Sequence, residues 1–154
     1  MPAEELIKES ALLKDFSPTG LQIIAAVCTE KTFPRGTLIF AENMVADAMY
    51  FVIEGRVAIG IKNGDGKDQH VASLGPGDTL GELALLSTSR RLCSALAESD
   101  VKTVEVRADA FKKLLAQKPQ ACLKLMLNIS AEFGKKLNLN RDGLRLLALA
   151  GKPG

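Results

Sequence analysis

The apolar positions of this chain change their period twice. Over residues 17–28, Leu21, Ile24, Ala25 and Cys28 share one face at helical spacing, and Ser17-Pro18 supplies a capping hydroxyl followed by proline at the first helical position. Pro34-Arg35-Gly36 interrupts this pattern, and from there to Val106 the chain reads as short strands, expected at residues 37–40, 49–53, 57–61, 69–74, 93–97 and 101–106. Val57, Ile59 and Ile61 alternate with Ala58 and Gly60, while Gly55 marks a turn or bulge. Asn63-Gly64-Asp65-Gly66 predicts a hairpin, and Gly75-Pro76-Gly77-Asp78 and Glu98-Ser99-Asp100 predict further turns.

Beyond Arg107 the period becomes helical. Asp109 is expected to cap a helix running to residue 115, and Pro119 to open a second one reaching residue 147. Along that second helix Ser130, Phe133, Leu137, Asn140, Leu144 and Leu147 recur at alternating steps of three and four, a heptad seam with a polar Asn inside it. Gly134 and Gly143 weaken the helix. Regularly spaced short strands between helices predict a mainly β fold, an antiparallel β-barrel or jelly roll with an N-terminal helical segment and C-terminal helices. The whole chain, residues 1–154, is expected to form one domain: N-terminal helices over 1–31, barrel over 32–107, C-terminal helices over 108–150.

Composition adds little to this picture but excludes several classes. With 154 residues, 47% hydrophobic and 25% charged, the chain matches a folded soluble domain. A net charge of +2 recommends neither nucleic acid nor membrane as partner. Three cysteines without CxxC spacing predict reduced thiols in a cytoplasmic protein. The acidic, polar start MPAEELIKES is wrong for a signal peptide, and the apolar run at residues 21–28 is too short to span a bilayer. His70, the single histidine, has no partner set for a metal or a catalytic triad.

The chemistry concentrates in residues 80–95, LGELALLSTSRRLCSA. Gly81 allows close backbone approach, and a short helix beginning at residue 82 would aim free N–H groups outward. Arg91, nine residues after Glu82, carries a planar fork suited to phosphate. A carboxylate beside an anion site makes sense when the ligand also bears a hydroxyl, as a sugar phosphate does: Glu82 would accept from the ribose while Arg91 holds the phosphate.

Pro34-Arg35-Gly36, Ile39-Phe40, Ala46-Asp47, Tyr50-Phe51-Val52 and Gly55-Arg56-Val57, followed by Gly81-Glu82-Leu83-Ala84-Leu85 and Arg91 without a gap, resemble the cyclic nucleotide-binding domain family from about Leu12 to the long C-terminal helix. The resemblance implies that Glu82 and the Gly81 backbone take the ribose 2′-hydroxyl and that Arg91 pairs with an exocyclic phosphate oxygen. It implies that the Ala84 and Leu92 N–H groups complete the cradle, with Leu83 and Cys93 beside them, and that Asn140 and Arg141 lie where base contacts fall. It also implies a ligand, most readily cAMP, with cGMP or another cyclic nucleotide as variants, and no cofactor. Leu92 departs from the family, which places a small residue there, and brings bulk beside phosphate or base without the hydroxyl that meets guanine. Arg90 stands where proline is frequent. Asn43 replaces a glycine, a mild change because Asn tolerates a left-handed backbone.

The function expected is signal transduction by a regulatory nucleotide-binding domain, not an enzyme, in which phosphate capture orders the cassette and Leu83, Leu85 and Leu86 reposition the C-terminal helices. The chain carries no helix-turn-helix, kinase or channel segment, so its output is expected to reach an unidentified effector protein without direct DNA or membrane contact, with the sensory part of a longer protein as an equal alternative. The seam has two readings, packing back on its own barrel or pairing with a second copy, and of these a homodimer through the C-terminal helix is expected. Two alternatives stay open: a degenerate domain serving as a dimerisation or docking module, and a cyclic dinucleotide-binding relative using Arg90 as an extra phosphate contact.

Overall fold

The structure, a computed structural model, describes residues 2–142 and residue 145. Two short helices, α1 (Ala3–Ile7) and α2 (Pro18–Ala25), precede β1 (Cys28–Phe33), β2 (Leu38–Phe40), β3 (Ala48–Glu54), β4 (Val57–Lys62), β5 (Asp68–Leu74) and β6 (Thr79–Leu80). A one-turn helix α3 (Leu83–Leu86) separates these from β7 (Ser94–Ala97) and β8 (Val101–Arg107), after which come α4 (Ala108–Gln117) and α5 (Pro119–Leu139). The strands form two antiparallel four-stranded sheets, ordered β1-β8-β3-β6 and β2-β7-β4-β5, the expected jelly roll.

β3 explains why the two sheets and the helices form one body. Its side chains alternate, as strand geometry requires, but both faces are buried. Met49 and Phe51 join Ile7, Leu13, Ile24, Phe111, Leu125 and Ile129 in a core beneath the helices. Ala48, Tyr50 and Val52 join Phe40, Val57, Leu80, Ala95 and Ala97 between the sheets. A strand covered on both faces reads as a continuous apolar run, which is how AMYFVI stands in the sequence.

Local signals hold at several points. The Ser17 hydroxyl accepts the Gly20 N–H at 3.0 Å, the capping bond expected of it. The Asn63 carboxamide oxygen accepts the N–H groups of Asp65 and Lys67 and so closes the β4–β5 hairpin. Asn43 adopts the left-handed backbone, with φ 69°.

Other expectations are corrected. β1 begins within the segment assigned to N-terminal helices: α2 ends at Ala25 and Cys28 already pairs with Val106 of β8. CTEKTF has four exposed central residues because β1 is a sheet edge, and its charged Glu30 and Lys31 conceal the strand pattern while guarding that edge. Asp109 does not cap α4. Arg107 holds that position, and Asp109 sits in the first turn with its Oδ1 accepting the Ala110 N–H at 2.7 Å.

α5 ends at Leu139, eight residues before the expected limit, with Asn140 as its C-cap donating from Nδ2 to the Lys136 carbonyl at 2.8 Å. Gly143, Leu144 and Leu147 lie outside the described residues. The expected seam does not share one face: Phe133 turns toward the barrel, whereas Ser130 and Leu137 face solvent. The solvent stripe is Leu123, Leu127, Ser130, Gly134 and Leu137, again at steps of four and three.

The two faces of α5 predict opposite mutational outcomes. Leu125, wholly buried, should cost about 2–5 kcal/mol on truncation to Ala, whereas Leu127→Ala should stay within about 0.5 kcal/mol in a monomer. Chemical denaturation of the two variants measures the difference, and equal losses would contradict the packing of α5.

Candidate functional site

Gly81 leaves β6 with φ 76°, in the left-handed region. A side chain there would be strained, and its Cβ would also collide with the Arg91 guanidinium. The glycine is therefore what lets Arg91 lie flat against the cassette. Glu82 follows as the N-cap of α3, whose single turn is closed by Ala84 N–H to Gly81 O and Leu85 N–H to Glu82 O, each 3.1 Å. The Ala84 N–H expected in the phosphate cradle is thus engaged within the turn. The Leu92 N–H has no protein acceptor among the described residues.

Arg91 is 5% exposed. Its Nη2 donates to the Ala48 carbonyl at 2.7 Å and stands 3.6 Å from Asp47 Oδ1. Its guanidinium carbon lies 4.0 Å from the centroid of the Phe40 ring, a cation–π contact. Its Nε is buried without a partner. Burial holds this guanidinium below its ordinary pKa, opposed by the Tyr50 phenol and the Asp47 carboxylate. The Arg91 backbone is fixed on both sides, its N–H donating to Met44 O at 2.6 Å and its carbonyl accepting the Asn43 N–H at 2.8 Å. Arg90 donates to Asn43 O at 2.9 Å and so braces the same loop.

The Glu82 carboxylate accepts from the Thr79 hydroxyl. Tyr50 is buried between the sheets, and burial, reinforced by Glu105, pushes its phenol up. Cys93 is half-buried, and burial raises its thiol pKa while Arg91 opposes the rise.

A cavity of about 160 Å³ brings these groups together, lined by Phe40, Gly81, Glu82, Leu83, Ala84, Arg90, Arg91, Leu92, Cys93 and Phe133 among others. Seven of the residues expected from the sequence, Gly81, Glu82, Leu83, Ala84, Arg91, Leu92 and Cys93, meet in this one cavity. Asn140 and Arg141 do not line it. They flank the far end of α5, where Asn140 is spent on its own cap. Leu92 does not crowd the cavity floor: its side chain is 72% exposed and stands at the rim.

Phe133 is the α5 residue that reaches the cavity, so at this position the heptad repeat packs back on its own barrel. Its signal was present, since Leu125, Ile129 and Phe133 continue one stripe at steps of four. Phe40 and the Ala48 carbonyl were missed for a different reason, because only tertiary packing brings them to Arg91. A larger groove of about 640 Å³ runs over the second sheet, lined by Leu38, Gly60, His70 and Leu96 among others, and shares no residue with the cassette cavity.

An arginine and a carboxylate lining one cavity suit a ligand bearing both a phosphate and a free hydroxyl. Comparison with known proteins points the same way. Residues 30–118 match the family model of the cyclic nucleotide-binding domain. The chain is 27% identical over 149 residues to a CRP-like cAMP-activated global transcriptional regulator of Mycobacterium tuberculosis, covering 97% of this chain and 66% of that one. It is 37% identical over 112 residues to the cAMP-dependent protein kinase regulatory subunit of Aspergillus niger, covering 73% of this chain and 26% of that subunit. The chain thus spans just under two thirds of the first relative and about a quarter of the second. Among solved structures, the catabolite activator protein of Thermus thermophilus superposes with a TM-score of 0.78 at 25% identity, over 90% of this chain and 63% of that one. Fold, cassette geometry and family match agree: this chain belongs to the cyclic nucleotide-binding domain family.

Proposed function

We propose that this chain is a cyclic nucleotide sensor, with cAMP as its ligand, and that it passes occupancy to a protein partner through α4 and α5. The observation that carries the reading is Arg91: it is almost wholly buried, with Nε unpartnered, against Gly81 in the cavity that also holds Glu82. Arg91 takes the cyclic phosphate, with the free Leu92 N–H beside it. Glu82, set by Thr79, accepts from the ribose hydroxyl. Leu92 and Phe133 offer apolar surface to the purine at the cavity mouth. The choice of cAMP rests on the two relatives, one described as cAMP-activated and the other as cAMP-dependent.

The role is regulatory rather than catalytic. Leu85 and Leu86 of α3 pack with the helical core that contains α4 and α5, so a cassette that closes on phosphate presses directly on those helices. No described helix is long and apolar enough to cross a membrane. The solvent stripe of α5 carries Leu123, Leu127 and Leu137, which are 51%, 69% and 48% exposed, with Ser130 and Gly134 between them. Leucines at heptad spacing around small residues form a seam for a second copy of this chain.

Calorimetry with cAMP, cGMP and cyclic di-GMP tests the ligand. Heat should appear with cAMP, and Arg91→Ala should weaken binding about a hundredfold, the scale of a lost charge-assisted contact. No heat with any of the three would leave a docking module, whereas binding of cyclic di-GMP alone would replace the ligand. For the seam, light scattering should give twice the chain mass for the native protein and the monomer mass for Leu127→Lys. A native monomer with and without ligand would refute it.

A further inference from the structure

Glu82 and Arg91 are opposite charges lining one cavity of about 160 Å³, and they do not pair. The ion-pair partner of Arg91 is Asp47, 3.6 Å from Nη2, and that nitrogen also donates to the Ala48 carbonyl. Nη1 has no protein acceptor among the described residues. It stands so close to Gly81 that a Cβ there would collide with it, and Glu82 is the next residue along the chain. A glutamate side chain beside that glycine is long enough to fold back onto Nη1. Thr79 holds it elsewhere, its hydroxyl donating to Glu82 Oε1. Thr79 is itself fixed in β6, where it stands opposite Phe51 of β3. The left-handed backbone at Gly81 turns the chain between the two residues, so side chains three positions apart meet. Thr79 lines a neighbouring cavity of about 180 Å³ that shares Glu82 and Phe133 with the cassette cavity. Glu82 therefore stands in the partition between the two, tied from the side away from Arg91.

An ion pair between Glu82 and Nη1 would close the site from within. It would occupy both the donor that a phosphate needs and the acceptor that a hydroxyl needs, and a ligand would have to break it. Asp47 already balances part of the guanidinium charge, so the remaining pull on Glu82 is weak enough for one hydroxyl bond to decide its place. We propose that Thr79 is a positioning residue that keeps the Glu82 carboxylate off Arg91, so that the hydroxyl acceptor and the phosphate donor stand apart in the unliganded chain. Only Oε1 is engaged by Thr79, and Oε2 accepts from no protein donor among the described residues. This assignment rests on the reading of the cassette as a cyclic nucleotide site and deepens it. Thr79 touches neither phosphate nor ribose, yet its hydroxyl sets the affinity for the phosphate.

Calorimetry on the intact chain with cAMP and with 2′-deoxy-cAMP, which lacks the hydroxyl assigned to Glu82, tests the role together with a crystal structure of one variant. Thr79→Val should weaken binding of both ligands about three- to tenfold, the scale of one hydrogen bond to a charged group. In a Glu82→Gln background the same substitution should change affinity by less than about twofold, because no charge remains to fold onto the guanidinium. Thr79→Ser, which keeps the hydroxyl, should bind as the native chain does. The unliganded crystal structure of Thr79→Val should show the Glu82 carboxylate paired with Arg91 Nη1, and a carboxylate left in its native place would overturn the proposal. A merely structural role for Thr79 would give the same loss in both backgrounds, which would also overturn it. A loss confined to cAMP would reduce Thr79 to an aid for the ribose contact and remove its role at the phosphate. Melting curves check that each variant is folded. If the native chain takes up no cyclic nucleotide, the binding reading falls and the assignment with it. Native cAMP binding that ignores the Thr79 substitutions removes the assignment alone.

Discussion

The cassette is organised by one packing constraint: a guanidinium must lie inside the wall of a β-sandwich. Arg91 meets that constraint through the missing Cβ of Gly81, the carbonyl of Ala48, the ring of Phe40 and the carboxylate of Asp47. Each compensates for one aspect of taking a cation out of water. Gly81 supplies space, Ala48 a hydrogen bond, Phe40 a polarisable face and Asp47 an opposite charge. Among the donors of the guanidinium they leave Nε buried without a partner, a residue of unsatisfied polarity inside the wall.

That arrangement also determines why β3 is central. Its first residues hold the arginine, and the rest of the strand divides its side chains between the inter-sheet core and the helical core. Close-packed interiors transmit strain, so a shift at the arginine would be felt in both cores. The strand continues into contact with β8, whose end is the start of α4. The route from the cassette to the helices is thus two packed layers and one ladder, with no long loop in between.

The sequence made the cassette legible because its chemistry is local. Gly81, Glu82 and Arg91 fall within eleven residues and keep their spacing whatever the rest of the chain does. The strand alternation of β4 and the Asn63 hairpin are legible for the same reason. Contributions from distant elements were not. Asp47 and Phe40 carry no local mark of their partnership with Arg91. β1 hid because an edge strand takes its exposure from its place in the sheet, not from its own composition. The helical register of α5 was legible only to within a face. Its stripe at Leu125, Ile129 and Phe133 and its stripe at Leu123, Leu127 and Leu137 are both apolar and both well spaced, so periodicity alone could not say which one the barrel would claim.

The two stripes give α5 a combination of tasks that a singly amphipathic helix could not perform. Phe133 ends the buried stripe at the cavity, so anything that fills the cavity acts on the helix from its inner side. The leucines of the other stripe remain exposed, so movement of the helix changes a surface rather than another part of the core. Arg91 is buried and held by Ala48 and Phe40, so on the reading proposed above a ligand would not have to order it, and more of the interaction free energy would remain to act on α5. A buried, preset cation and a helix with two apolar faces are therefore parts of one design. In the proposed sensor, the first would keep binding inexpensive in ordering, and the second would convert it into a change that another molecule can meet.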